Sequence, residues 1–251
     1  MRMLDALDAY SDGSGSLMYL GGNGFYWVTN TLPDRSHVIE IRRGHAGTRT
    51  WEGAPGEGHL SSTGEPGGIW RHRGRAPQAL VGVGFCAQGG GSSSGYTQTE
   101  ARSDSRARFL FRGVGPQEDI GAFGHVRGGA GNEIDRADRR LGTPGHALVV
   151  ATSAGRHSDF YQHAVEEVPM MMPDQGGTSC AEVRADMVYF ESGTAGGVFS
   201  VGSIDWTASL PHNNYDNNVS RITWNALDHF RSVAVPGAAD RGDHEVRPDP
   251  S

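Results

Sequence analysis

The stretch SLMYLGGNGFYWVTN, residues 16–30, stops a short apolar run on a glycine cluster and resumes with three aromatic side chains in a row. Leu17 to Leu20 has the pattern of a short buried strand. Glycines at its end let the backbone bend sharply and let a neighbour approach closely. In open α/β sheets ligands gather where strands end and the chain turns, so this reading stands Tyr26 at such a rim. A phosphate cradle would need G-K-[ST] or G-x-G-x-x-G, and Gly21-Gly22-Asn23-Gly24 has neither. The plainer alternative is that Phe25, Tyr26 and Trp27 fill a core.

Working outward, MRMLDALDAY places Met3, Leu4, Ala6, Leu7 and Tyr10 on a helical stripe that SDGSG ends. No cap precedes that helix, which suggests a missing upstream part or a misplaced start codon. Downstream, Tyr26-Trp27-Val28 continues as a strand or short helix, and His37 to Ile41 alternates like a strand. Gly44 to Gly68 reads as a long loop, a length usually tied to function when ordered. Ala79 to Phe85 is apolar again. Ala107 to Gly113, Ala147 to Thr152, Met187 to Phe190 and Gly197 to Val201 are further strand candidates. Ser158 to Glu167 has helical spacing, and Val219 to Phe230 has it more clearly, with Asn217 or Asn218 as cap.

The 251 residues suffice for one sizeable core, and 38 glycines point to many turns and irregular connections. A net charge of -7 argues against a nucleic-acid binder. The basic run Arg71-His72-Arg73-Gly74-Arg75 reads as ion-pair partners for nearby acids or a solvated loop, with an anion contact as the sharper option. Two distant cysteines fit a reducing cytoplasm and no disulfide framework. No apolar run approaches a membrane span, and no signal peptide is visible at the N-terminus.

Three clusters carry chemistry. Tyr26 follows the glycine turn. EGHLSSTGEPGGIW, residues 57–70, sets Glu57, His59 and Glu65 in a glycine-rich loop, a plausible metal or acid–base set although no named metal spacing fits. FSVGSIDWTASLPHNNYDNNVSRIT, residues 199–223, puts His212 in a polar loop before the last helix, where Asn and Asp also serve as caps. Glu191 closes another strand. No G-x-S-x-G is present, and neither cysteine sits in a nucleophile motif. A nucleophilic hydrolase would therefore need Cys86 or Cys180 to be reactive.

LMYLGGNGFYW, HVIEIRRG, TGEPGGIWR, VGVGFCAQG, LGTPGHAL, RADMVYFE and FSVGSIDW, followed by HNNYDNNVSRIT, occur in that order along the chain. Together they resemble the C-terminal part of the large (beta) subunit of N,N-dimethylformamidase. The resemblance implies an α/β fold, a three-layer class I glutamine amidotransferase-like domain with long loops over residues 1–235, N-terminally truncated, and a disordered tail over 236–251. It implies an iron-dependent amidohydrolase that cleaves a small amide such as N,N-dimethylformamide to an amine and formate. Its iron (Fe) is mononuclear and non-haem, held by two tyrosines and a glutamate. By this resemblance Tyr26 and Glu65 are metal ligands, and the second tyrosine lies upstream or is Tyr19. His59, Glu191 and His212 are then candidates to move protons. Phenolate and carboxylate oxygens suit a hard Fe(III), which can polarise an amide oxygen and ionise bound water. A small partner subunit and a homo-oligomer are also implied. The alternative is a truncated, catalytically silent binding or scaffold module of the same fold.

Overall fold

The computed structural model describes residues 2–32, 34–44, 53–164 and 174–233. Its centre is a five-stranded sheet in the order β1 (Leu17–Tyr19), β10 (Gly196–Ser200), β9 (Asp186–Ser192), β7 (Leu148–Thr152) and β5 (Thr97–Gln98). Only β1 and β10 run parallel, with Met18 opposite Phe199; the other pairs are antiparallel. β9 and β10 are buried along nearly their whole length, as expected of inner strands covered on both faces.

Period-two alternation sorts their side chains. Val188, Phe190 and Val198 pack with Leu4 of α1 (Arg2–Asp12) and with Leu80 and Val81 of α2 (Pro77–Val81). Met187, Tyr189, Phe199 and Val201 pack with Ile222, Ala226 and Phe230 of α4 (Asn218–Val233). Helices thus cover both faces of the sheet, and the fold is mixed α/β. Burying a Phe or Leu side chain contributes about 1.5–3 kcal/mol, so this two-sided core holds the layers together. Asn217 caps α4, its Oδ1 accepting from Ser220 N at 2.9 Å.

A second sheet carries β6 (Glu133–Arg136), β4 (Gly84–Gly89) and β8 (Tyr161–His163), with β4 in the middle and both pairs antiparallel. β2 (Thr29–Leu32) and β3 (Arg35–Ile41) form a separate hairpin. The short α3 (Trp206–Ser209) follows β10 and buries Trp206 completely.

Several expectations from sequence change here. The apolar run 79–85 divides at Gly82, φ +78°, into the end of α2 and the start of β4. Residues 107–113 are not a strand but a one-turn 3₁₀ helix, Arg108–Phe111. It lies under α4, where Asn225 Nδ2 donates to the carbonyls of Leu110 and Arg112 at 2.8 and 2.9 Å. A short apolar run cannot reveal such a partner in advance. Helical spacing over 158–167 gives way at Tyr161–His163 to β8, because the free edge of β4 offers backbone partners; residues 165–167 lie outside the described residues, as does the 236–251 tail. Trp27 makes a single antiparallel bridge to Ile69 before β2 begins.

Candidate functional site

The glycine turn closes on a buried carboxylate. Tyr19 Oη donates to Asp135 Oδ2 at 2.8 Å, Asn23 N donates to Asp135 Oδ1 at 2.7 Å, and Gly24 N donates to Tyr19 Oη at 2.6 Å. Close approach accounts for the glycines: a Cβ on Gly22 would lie 2.3 Å from Glu133 O, and one on Gly24 would lie 2.7 Å from the Tyr19 ring. Asn23 and Phe25 take positive φ, a conformation Asn tolerates better than Phe does. Burial raises the Asp135 carboxyl to about 7 despite its two donors. Burial and the neighbouring Asp135 also push the Tyr19 phenol up, so Tyr19 keeps its proton and donates it in the hydrogen bond to Asp135.

Residues 53–68 form an outer loop tied down from beneath. Glu40, on β3, accepts from Ser61 N at 2.9 and 3.0 Å, from Ser61 Oγ at 3.0 Å and from Arg42 Nε at 2.7 Å. Arg42 and Ser61 hold its carboxyl down at about 2. Leu60 is buried beneath the loop, Gly68 N donates to Arg42 O at 2.6 Å, and Val28 N donates to Gly68 O at 2.8 Å. Above this anchor opens a cavity of about 640 Å³ bordered by Arg43, Glu57, His59, Glu65, His72 and Arg73. His59 and Glu65 therefore come together, as their loop suggested: residue 59 bridges residue 66, and Leu60 N donates to Glu65 O. Glu65 is half exposed, with Arg73 Nη1 3.6 Å from its carboxylate.

Tyr26 lies elsewhere. It is buried against Ile69 and Phe85, its ring edge-on to Trp27 at 4.9 Å and to Phe85 at 5.2 Å, and it borders a small inner space with Arg71 and Gln78. The one-turn helix Trp70–Arg73 stands between the two cavities, giving Arg71 to the inner one and His72 and Arg73 to the outer one. Tyr26 and Glu65 thus border different spaces. Among the described residues no group of three His, Cys, Asp or Glu side chains is placed to hold a metal ion.

The other proposed proton carriers occupy separate places. Glu191, at the exposed end of β9, borders a groove with Tyr189, Arg106 and His229, and its carbonyl accepts from His146 Nε2 at 3.0 Å. His212 stacks on Phe123 at 4.5 Å, in a turn whose Asn213 and Asn214 are left-handed. Cys86 is buried and donates to the carbonyls of Ile134 and Arg184 at 3.3 and 3.2 Å. Burial pushes its thiol up, which removes it as a nucleophile. The basic run is divided: Arg75 pairs with Asp5 and Asp8 of α1, each at 2.6 Å, and Arg73 faces Glu65.

Sequence reasoning missed Asp135 and Glu40. Glu133-Ile134-Asp135-Arg136 carries one apolar residue among charges and reads as surface. In HVIEIRR the alternation around Glu40 was visible, but not the loop that covers it.

The family described as N,N-dimethylformamidase beta subunit-like, C-terminal, matches residues 1–217. The N,N-dimethylformamidase beta subunit of Paracoccus aminophilus is 41% identical over 227 residues, 90% of this chain and 30% of that protein. The beta subunit of the same name from Alcaligenes sp is 40% identical over 227 residues, again 90% of this chain and 30% of that protein. The chain therefore spans about 30% of the length of these curated relatives. Among the described residues no helix is long and apolar enough to cross a membrane.

Proposed function

Because the chain belongs to the N,N-dimethylformamidase beta subunit-like family, we propose that it forms part of an amide hydrolase. Its substrate is a small amide such as N,N-dimethylformamide, whose C–N bond is cleaved to an amine and formate. The observation that carries this reading is the 41% identity over 90% of the chain to a beta subunit of that name. The word subunit in the relatives' names supports a partner chain, and a homo-oligomer is part of the same proposal.

Amide hydrolysis needs a water delivered to the carbonyl carbon and a proton delivered to the departing nitrogen, since an amide anion is a very poor leaving group. We assign proton transfer to the outer cavity, where His59 stands in an open space with Glu57 and Glu65. His59 supplies or accepts the proton, and Arg73 orients the Glu65 carboxylate. Iron dependence is proposed for the longer subunit as a whole. Tyr26 and Glu65 border different cavities, and the proton transfers assigned to the outer cavity use side chains of this chain alone.

The test uses the full-length subunit with its partner, supplied with N,N-dimethylformamide and followed by formate release. His59→Gln is expected to lower kcat by about a hundredfold with metal content unchanged; undiminished turnover would refute the role of His59, and a parent that releases no formate would refute the amide reading. Active protein that is colourless and free of metal would refute iron dependence. A silent binding module is the second reading. It is favoured by the separation of Tyr26 from Glu65, and a partnered, metal-supplied subunit without turnover would support it.

A further inference from the structure

Two arginines border the outer cavity with their guanidinium groups laid over tryptophans. Arg43 Cζ lies 5.0 Å from the centre of the Trp27 ring, and Arg73 Cζ lies 5.6 Å from that of Trp70. The two tryptophans come from neighbouring backbone, since residue 27 bridges residue 69. Backbone also fixes where Arg43 starts: Gly68 N donates to Arg42 O at 2.6 Å, and a Cβ on Gly67 would strike that oxygen.

Their other bonds differ. Arg73 donates to Pro66 O and faces Glu65 at 3.6 Å. Glu57 is engaged too, its Oε2 accepting from Ala54 N at 2.9 Å. Arg43 is half-buried, and among the described residues its guanidinium has neither a carboxylate nor a carbonyl as partner. A guanidinium over an indole gives its face to the ring and leaves its in-plane N–H groups free to donate. Arg43 is thus a cation with unused donors, and it borders the same cavity as His59.

Two arginines and two glutamates balance on this lining, which suits a neutral amide. Hydrolysis upsets the balance, because it leaves a carboxylate. A guanidinium holds a carboxylate through charge-assisted bonds about twice as strong as those to a neutral oxygen. We propose, on the hydrolase reading above, that Arg43 binds the amide oxygen of the substrate and then retains the formate product, so that formate competes with the amide for the outer cavity.

The test uses the full-length subunit with its partner. Formate and formamide, alike in size and planarity but different in charge, are titrated calorimetrically, and added formate is tested against amine release from N,N-dimethylformamide. Formate is expected to saturate, to bind about tenfold more tightly than formamide and to inhibit competitively. Arg43→Gln should abolish that preference, relieve the inhibition and raise KM more than it lowers kcat. Arg43→Lys keeps the charge without the planar fork and should fall between the two. A preference for formate that survives Arg43→Gln, or no saturable formate binding in the parent, would overturn the proposal. If Arg43→Gln does not fold, Arg43→Lys decides: formate affinity and inhibition equal to the parent's overturn it. Binding needs no turnover, so the two readings separate. Arg43-dependent formate binding in a subunit that releases no amine refutes the hydrolase reading and leaves the carboxylate site standing; His59-dependent turnover with Arg43-independent formate binding does the reverse.

Discussion

Asp135 and Glu40 each pin a glycine-rich turn, and they titrate in opposite directions. Asp135 accepts from Tyr19 Oη and Asn23 N in a sealed interior, and its carboxyl rises to about 7. Glu40 accepts from Ser61 at the edge of an open loop with Arg42 beside it, and its carboxyl falls to about 2. Neutral donors do not repay the desolvation of a fully buried carboxylate; a guanidinium near solvent does. The inner turn is thus a rigid, proton-holding joint, and the outer loop is a charged, solvent-open one. Reactants reach only the second without rearrangement.

The contrast is sharpest at the glycines. Gly22→Ala should cost about 3 kcal/mol or more in chemical denaturation, because its Cβ would strike backbone at Glu133. A variant as stable as the parent would show that the inner turn is loose. Gly64, φ +71° with open space around it, has only its backbone conformation to lose, and Gly64→Ala should cost about 1 kcal/mol.

Between these comes the pH dependence of Asp135→Asn. The folded-state value of Asp135 lies above its ordinary 3.8, so the native protein holds a proton that the unfolded chain has released. Parent stability should therefore fall as pH rises from about 4 to 7, on the order of 3 kcal/mol, and the variant should lack this loss. His157, lowered to about 4 by burial, gives the reverse slope over the same range in both proteins, so the difference between them isolates Asp135. Denaturation curves with the same difference at pH 4 and pH 7 would break the distinction between the two turns.

Glu40→Gln should leave the core intact and speed amide exchange at Leu60 and Ser61. In the parent that anchorage is complete above about pH 4.5 and is lost as pH falls through about 2. Equal exchange in both proteins at pH 7 would show that Glu40 does not hold the loop. The smallest effect belongs to Glu65→Gln. Its pairing with Arg73 is long and exposed, so the melting curve should move by less than about 0.5 kcal/mol, and any larger change would mean that the open loop is built more tightly than its contacts indicate.

Legibility in the sequence followed the range of the forces involved. α1, β1, β3, β7, β9, β10 and α4 were readable because each shows its own period or cap, as Asn217 does before α4. The segment 107–113 and β8 were misread because their backbone partners, Asn225 and β4, come from distant sequence. In the candidate site, the meeting of His59 and Glu65 was legible from one short loop, whereas the separation of Tyr26 from Glu65 was not, since it depends on where the turn Trp70–Arg73 falls between two cavities.

The apolar strands and the bend at Gly21–Gly24 belong to the sequence alone, because local pattern and stereochemistry suffice for them, and the family resemblance rests on motifs in a fixed order along the chain. What the bend grips was decided only by the tertiary structure. Asp135 and Tyr19 are far apart in the chain, and a carboxylate becomes a buried, protonatable anchor only when folding removes the water around it.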